Sequence, residues 1–187
     1  MTENNLENRA DNLKKLSLLL SNGDEILGDD VRLSEQSPDS YVQAHRAELE
    51  NRGIFEPVAG LSWIAIVDGL EKRGKLIELD WKESGEETVQ AVLKLCVGDE
   101  NVEQIRQSLE KIPPENFPET LDFFKRINQE LELFEKALII IDIDSDCYPL
   151  ALVQLAAKPL VSELANRIEA NRVRTFRISD VGEATHR

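Results

Sequence analysis

The sequence predicts an α+β protein, a small and mainly antiparallel sheet covered by several amphipathic helices. Three observations predict it. Apolar residues recur at three- and four-residue spacing along most of the chain. The stretches Leu76–Trp81, Ala137–Ile143 and Val173–Ile178 read instead as short strands. The apolar run Leu150–Leu155 follows 137–143 after only a few turn residues, which makes that pair a hairpin and not a parallel crossover.

Leu6, Ala10, Leu13, Leu16 and Leu20 lie on one helical face, so residues 3–21 form a helix that Gly23 ends. Residues 22–36, NGDEILGDDVRLSEQ, mix Gly, Asp and scattered aliphatics without a period and read as an irregular connection. Ser37-Pro38-Asp39 opens the next helix, with serine as cap and proline at the first helical position, and Gly53 closes it. Trp63, Ile66, Val67 and Leu70 mark one face of a third helix, and Gly74 follows its basic end, Lys72-Arg73. In LIELDWK, Ile77, Leu79 and Trp81 alternate with Glu78, Asp80 and Lys82, the pattern of a strand with one core face and one wet face.

Ser84 and Glu87 form a capping box for the helix carrying Val89, Val92, Leu93 and Cys96. Gly98 stops it and Asp99 caps the next, which shows Val102, Ile105, Leu109 and Ile112. Pro113-Pro114 breaks the chain before a stripe of Phe117, Leu121, Phe124, Ile127, Leu131 and Phe134. After the hairpin, Leu160, Leu164, Ala165 and Ile168 restore helical spacing over 159–171, and the last strand follows. The chain thus reads as one domain, 1–187: helix in 1–21, connection 22–36, main body 37–180 and a frayed tail 181–187.

A hydrophobic content of 41% suits a real core in 187 residues. Against 22 basic residues stand 36 acidic ones, a net charge of −14, which argues against nucleic acid or an anionic membrane as partner and leaves room for a basic protein. No apolar run approaches the roughly 18 residues of a membrane helix, and the polar, acidic opening MTENNLENRADNLKK is unlike a secretory signal, so a cytoplasmic location is expected. Cys96 and Cys147 form no CxxC and no disulfide framework, and read as small buried hydrophobes.

The chemistry-bearing segment is ALIIIDIDSDCY, Ala137–Tyr148, where an apolar run ends in Asp142, Asp144 and Asp146 at alternate positions. In a continuing strand these carboxylates would converge on one face and could hold magnesium or manganese. In a turn they would satisfy backbone amides and stay hydrated. An EF-hand loop starting at Asp142 needs Gly where Cys147 stands and Glu where Val153 stands. A phosphatase of the haloacid-dehalogenase kind also runs a strand into DxD, but the 45 residues after Asp142 are too few for its remaining motifs. A metal-dependent nuclease or transferase would need further acids, with Asp68, Glu78 and Asp80 as candidates. His45 reads as a surface histidine on its helix and His186 falls in the tail, so nucleophilic or zinc catalysis has little to stand on. Trp63 and Trp81 each fall on an apolar phase and read as core.

LSWIAIVDGLEKRGKLIELDWK at 61–82 and IIDIDSDCYPLALV at 140–153 resemble a family of uncharacterised bacterial proteins known only as a domain of unknown function, in which a Trp–Asp helix precedes an ELDWK strand and a DxDSDxYxL hairpin follows. The resemblance covers about the last two-thirds of the chain and implies no activity. Small acidic α+β proteins of this kind are also similar, as a class, to immunity proteins of bacterial toxin systems. The expected function is therefore non-enzymatic binding of a protein partner, immunity-type or regulatory, without a cofactor. The alternative is a divalent-metal-dependent hydrolase centred on Asp142 and Asp144.

Overall fold

A four-stranded antiparallel sheet in the order β1-β3-β2-β4 divides the molecule into two helical layers. The computed structural model describes residues 3–117 and 119–176. Strand β2 (Lys136–Ile141) and strand β3 (Cys147–Gln154) form the expected hairpin, paired from Lys136↔Gln154 to Ile140↔Leu150. Strand β1 (Leu76–Asp80) adds antiparallel to β3, with Asp80 opposite Cys147, and β4 (Val173–Thr175) adds to β2, with Val173 opposite Ile141. Because both faces are covered, β2 is buried at every position from Ala137 to Ile141, which is why its sequence is apolar without alternation.

One face presents Leu76, Ala137, Ile139, Ile141, Ala151 and Val153 to α1 (Glu3–Ser21), α2 (Glu25–Gln36), α5 (Leu61–Glu71) and α9 (Lys158–Ile168). The helix α2 corrects the irregular connection expected at 22–36. Asp24 caps it by accepting from the Leu27 N–H at 2.9 Å, and Leu27, Gly28, Val31 and Ser34 are its buried residues. Two of those four are not apolar, which hides the period. Gly28 is there for close approach, since a Cβ would lie 3.1 Å from Leu18 Cδ2 of α1. Gly69 of α5 does the same against Leu27, whose Cδ1 would stand 2.1 Å from an added Cβ. The helix expected from 37 to 53 is two short ones, α3 (Pro38–Ala44) and α4 (Arg46–Asn51), broken at His45. His45 is half-buried and stacks on Tyr41 with ring centroids 4.3 Å apart. Helix α5 is buried on nearly every side instead of on one face.

The opposite face presents Leu79, Leu138, Ile140 and Leu150 to α6 (Gly85–Leu95), α7 (Val102–Leu109) and α8 (Thr120–Glu132). The capping box forms as expected: Glu87 N–H donates to Ser84 Oγ at 3.2 Å and Ser84 N–H to Glu87 Oε2 at 2.8 Å. The cap position of α7 falls to Asn101 instead of the expected Asp99, which accepts from Asn101 N–H at 2.8 Å in the turn before the helix. Buried Asn128 of α8 accepts from Leu138 N–H at 2.8 Å and so satisfies a β2 donor beyond the last β4 pair. The expected end of β4 at Arg177-Ile178, the tail 181–187 and His186 lie outside the described residues. Among the described residues no helix is long and apolar enough to cross a membrane.

Candidate functional site

The hairpin turn, residues 142–146, sits beside the end of β1, because Asp80 is paired with Cys147. Beyond Asp80 the chain turns sharply. Asp80 Oδ1 accepts from Lys82 N–H at 2.9 Å and the Asp80 carbonyl accepts from Glu83 N–H at 3.0 Å. The strand therefore stops one residue before Trp81, which is 55% exposed. This overturns the expected burial of Trp81: Ile77 and Leu79 do pack on one face, but Trp81 belongs to the turn that leads into the Ser84 cap. Trp81, Ser145, Asp146, Cys147 and Tyr148 line an open concavity of about 370 Å³. Its base is held by Tyr148, whose ring meets Phe124 edge-on at 5.2 Å and 83°. Lys82 Nζ stands 5.1 Å from the Trp81 ring centroid.

The three turn carboxylates are placed differently from one another. Asp142 Oδ1 accepts from Asp144 N–H at 2.9 Å, an Asx turn. Asp144 is left-handed, φ 58°, a conformation aspartate tolerates, and its Oδ2 accepts from Arg172 Nη1 at 2.6 Å. Asp146 is exposed on the Trp81 side. Arg172 ties the turn to the body. Its Nε donates to Glu169 at 2.7 Å, and Glu169 in turn accepts from Trp63 Nε1 at 3.1 Å. Arg9 extends the chain of contacts, donating to Glu35 at 2.9 Å and to the Ile168 carbonyl at 2.9 Å. Burial pushes the Glu169 carboxyl up, but hydrogen bonds from Arg172 and Trp63 outweigh it and leave the group below its usual range.

Among the described residues the carboxylates that come within 4.8 Å of one another as a group of three are Asp68, Glu71 and Glu78, and not the turn trio. Asp68 and Glu71 are one helical turn apart on α5 and Glu78 reaches them from β1. Arg52 lies among them, donating from Nε to Asp68 at 2.7 Å and from Nη1 to Glu78 at 3.3 Å. Burial resists the Arg52 charge, yet these two partners hold it protonated. Burial also pushes Asp68 and Glu71 upward, and the nearby Glu78 adds to the rise of each. Arg52 thus pairs Asp68 of α5 with Glu78 of β1 in a part-buried ion-pair knot, and Glu71 stands exposed at its edge.

Cys96 is buried as expected, whereas Cys147 is only half-buried at the start of β3. Burial pushes Cys96 up to about 11. Burial and then the neighbouring Glu78, Asp80 and Asp146 push Cys147 up as well.

The family model of DUF6630, a domain of unknown function, matches residues 12–176. The chain belongs to this family. No curated protein and no solved structure matches it. The DUF6630 match runs from within α1 to the residue after β4, so it takes in both helical layers, all four strands, Trp81 and the hairpin turn. That is wider than the last two-thirds on which the sequence resemblance rested. Within this DUF6630 domain, the residue that the sequence misplaced is Trp81. The signals that would have placed it are Asp80, a good turn acceptor, and the Ser84 cap only three residues on.

Proposed function

We propose that this DUF6630 protein is a non-enzymatic binding protein, of regulatory or immunity type, whose hairpin-turn surface receives a cationic side chain from a basic protein partner. The observation that carries the reading is the exposed Trp81 ring at the edge of a concavity bordered by Asp146, with Asp80 beside it. An indole face attracts a lysine or arginine by about 0.5–1 kcal/mol at an exposed site, and more where water is excluded. Lys82 over the same ring is an intramolecular instance of that contact. The net charge of −14 steers a basic partner toward the surface before contact.

In this reading Asp142 and Asp144 fix the turn, and the exposed Asp146 supplies negative potential beside Trp81. The competing reading, a magnesium- or manganese-dependent hydrolase centred on Asp142 and Asp144, needs those carboxylates free for the ion, and Arg172 already holds Asp144. The test is capture from the source lysate on immobilised wild type and Trp81→Ala, at about 0.05 M and 0.5 M salt. A basic protein retained by wild type at low salt should be lost from Trp81→Ala by about tenfold or more, as for an aromatic anchor. Equal retention by both, or no specific protein at either salt, refutes the reading.

A further inference from the structure

At the end of the sheet remote from the turn, β1 begins, β2 begins and β3 ends around a cleft of about 460 Å³. This volume lies in the range of small-molecule sites, about 300–1,000 Å³. In a chain where acids far outnumber bases, three cations line it: Arg73 and Lys75 from the α5–β1 link, and Lys136 from the first position of β2. Asp99 is the one acid among its lining residues. Arg73 is held in place by Asp24 at 2.6 Å and by the Gly69 carbonyl at 2.8 Å, and Lys136 by Asp99. Lys75 is joined to no carboxylate among the described residues. Two fixed cations, and a third with no carboxylate partner among the described residues, therefore face a space whose remaining wall includes aliphatic residues such as Leu152.

We propose that this cleft binds a small phosphate-bearing metabolite, its phosphate between Lys75 and Lys136 and its carbon skeleton against the aliphatic wall. A dianionic phosphate answers an excess of lysine and arginine better than a carboxylate does, because each cation donates charge-assisted hydrogen bonds to a different oxygen. The cleft is too large for a bare ion to fill. It stands independently of the partner surface at the opposite end of the sheet.

The test is an amide NMR titration of the full chain with ribose 5-phosphate. Ribose and sodium chloride at matched ionic strength are the controls, and Gly74 and Gly98 are the reporters in the cleft wall. Saturable shifts at both glycines with ribose 5-phosphate alone are expected. Gly53, outside the cleft lining, should stay still. Lys75→Gln should raise the dissociation constant about tenfold, the loss of one charged hydrogen bond. Val97 lines the cleft and is 80% exposed, so Val97→Glu places an anion at its mouth without disturbing the core and should abolish binding. Shifts matched by ribose or by salt, no saturation, or binding unchanged in both variants would overturn the proposal.

Discussion

Replacing each tryptophan by alanine separates the two environments in which the structure places them. Trp63 is 0% exposed, part of the core that α5 shares with α1, α2, α9 and one face of the sheet, with its indole N–H donated to Glu169 at 3.1 Å. Trp63→Ala should cost about 3–5 kcal/mol, the transfer and cavity cost of a buried aromatic. Trp81 is 55% exposed, so the covered part of its surface is on the order of 100 Å², an upper limit of about 2.5 kcal/mol at 25 cal per Å². Part of that cover is the flexible Lys82, and the unfolded chain hides some of the ring too, so about 1 kcal/mol is expected. Urea unfolding followed by circular dichroism reads both values, with unchanged slopes as the check that only stability has moved. A Trp81→Ala cost equal to that of Trp63→Ala would restore Trp81 to the core and remove the proposed binding surface.

Other consequences follow from single contacts. Asn128→Ala strands the buried Leu138 N–H and should cost about 1–3 kcal/mol by chemical denaturation. Hydrogen bonds from Arg73 and from the Leu27 N–H hold the Asp24 carboxyl at about 2 instead of 3.8. Since the folded value is the lower one, its stabilisation is complete above the unfolded value and is lost as pH falls toward 2. Asp24→Asn should therefore be less stable at neutral pH but lose less melting temperature than wild type between pH 5 and pH 2. Parallel curves would contradict the assignment. Magnesium and manganese should raise the melting temperature no more than sodium chloride of equal ionic strength, and alike in wild type and Asp144→Asn. A metal-specific rise abolished by that substitution would promote the hydrolase reading.

Periodicity made much of the fold legible, and its failures have local causes. The hairpin and the α8 stripe are read directly, because the β2 run and the spacing of Phe124, Ile127 and Leu131 admit one structure each. Helix α2 is hidden because Gly28 and Ser34 take two of its four buried positions, where α1 comes too close for larger side chains at Gly28. Trp81 continues the alternation of Ile77 and Leu79 in sequence, but hydrogen bonds to Asp80 end the strand first. At the site, the acidic turn was visible as a cluster of Asp residues. That Asp144 is held by Arg172, 28 residues away, was not. The Asp68–Glu71 spacing on α5 carried a signal, yet Arg52 and Glu78 reach it only through tertiary packing.

The most direct measurement of the central claim is the association rate of wild type and Trp81→Ala with the captured basic partner, followed from about 0.05 M to 1 M salt as the Debye length shrinks to about 3 Å. The account predicts a steep fall in rate with salt for both proteins, because the charge is unchanged, and a dissociation rate raised about tenfold by Trp81→Ala at every salt. An association rate indifferent to salt, or a dissociation rate that Trp81→Ala leaves alone, would contradict it.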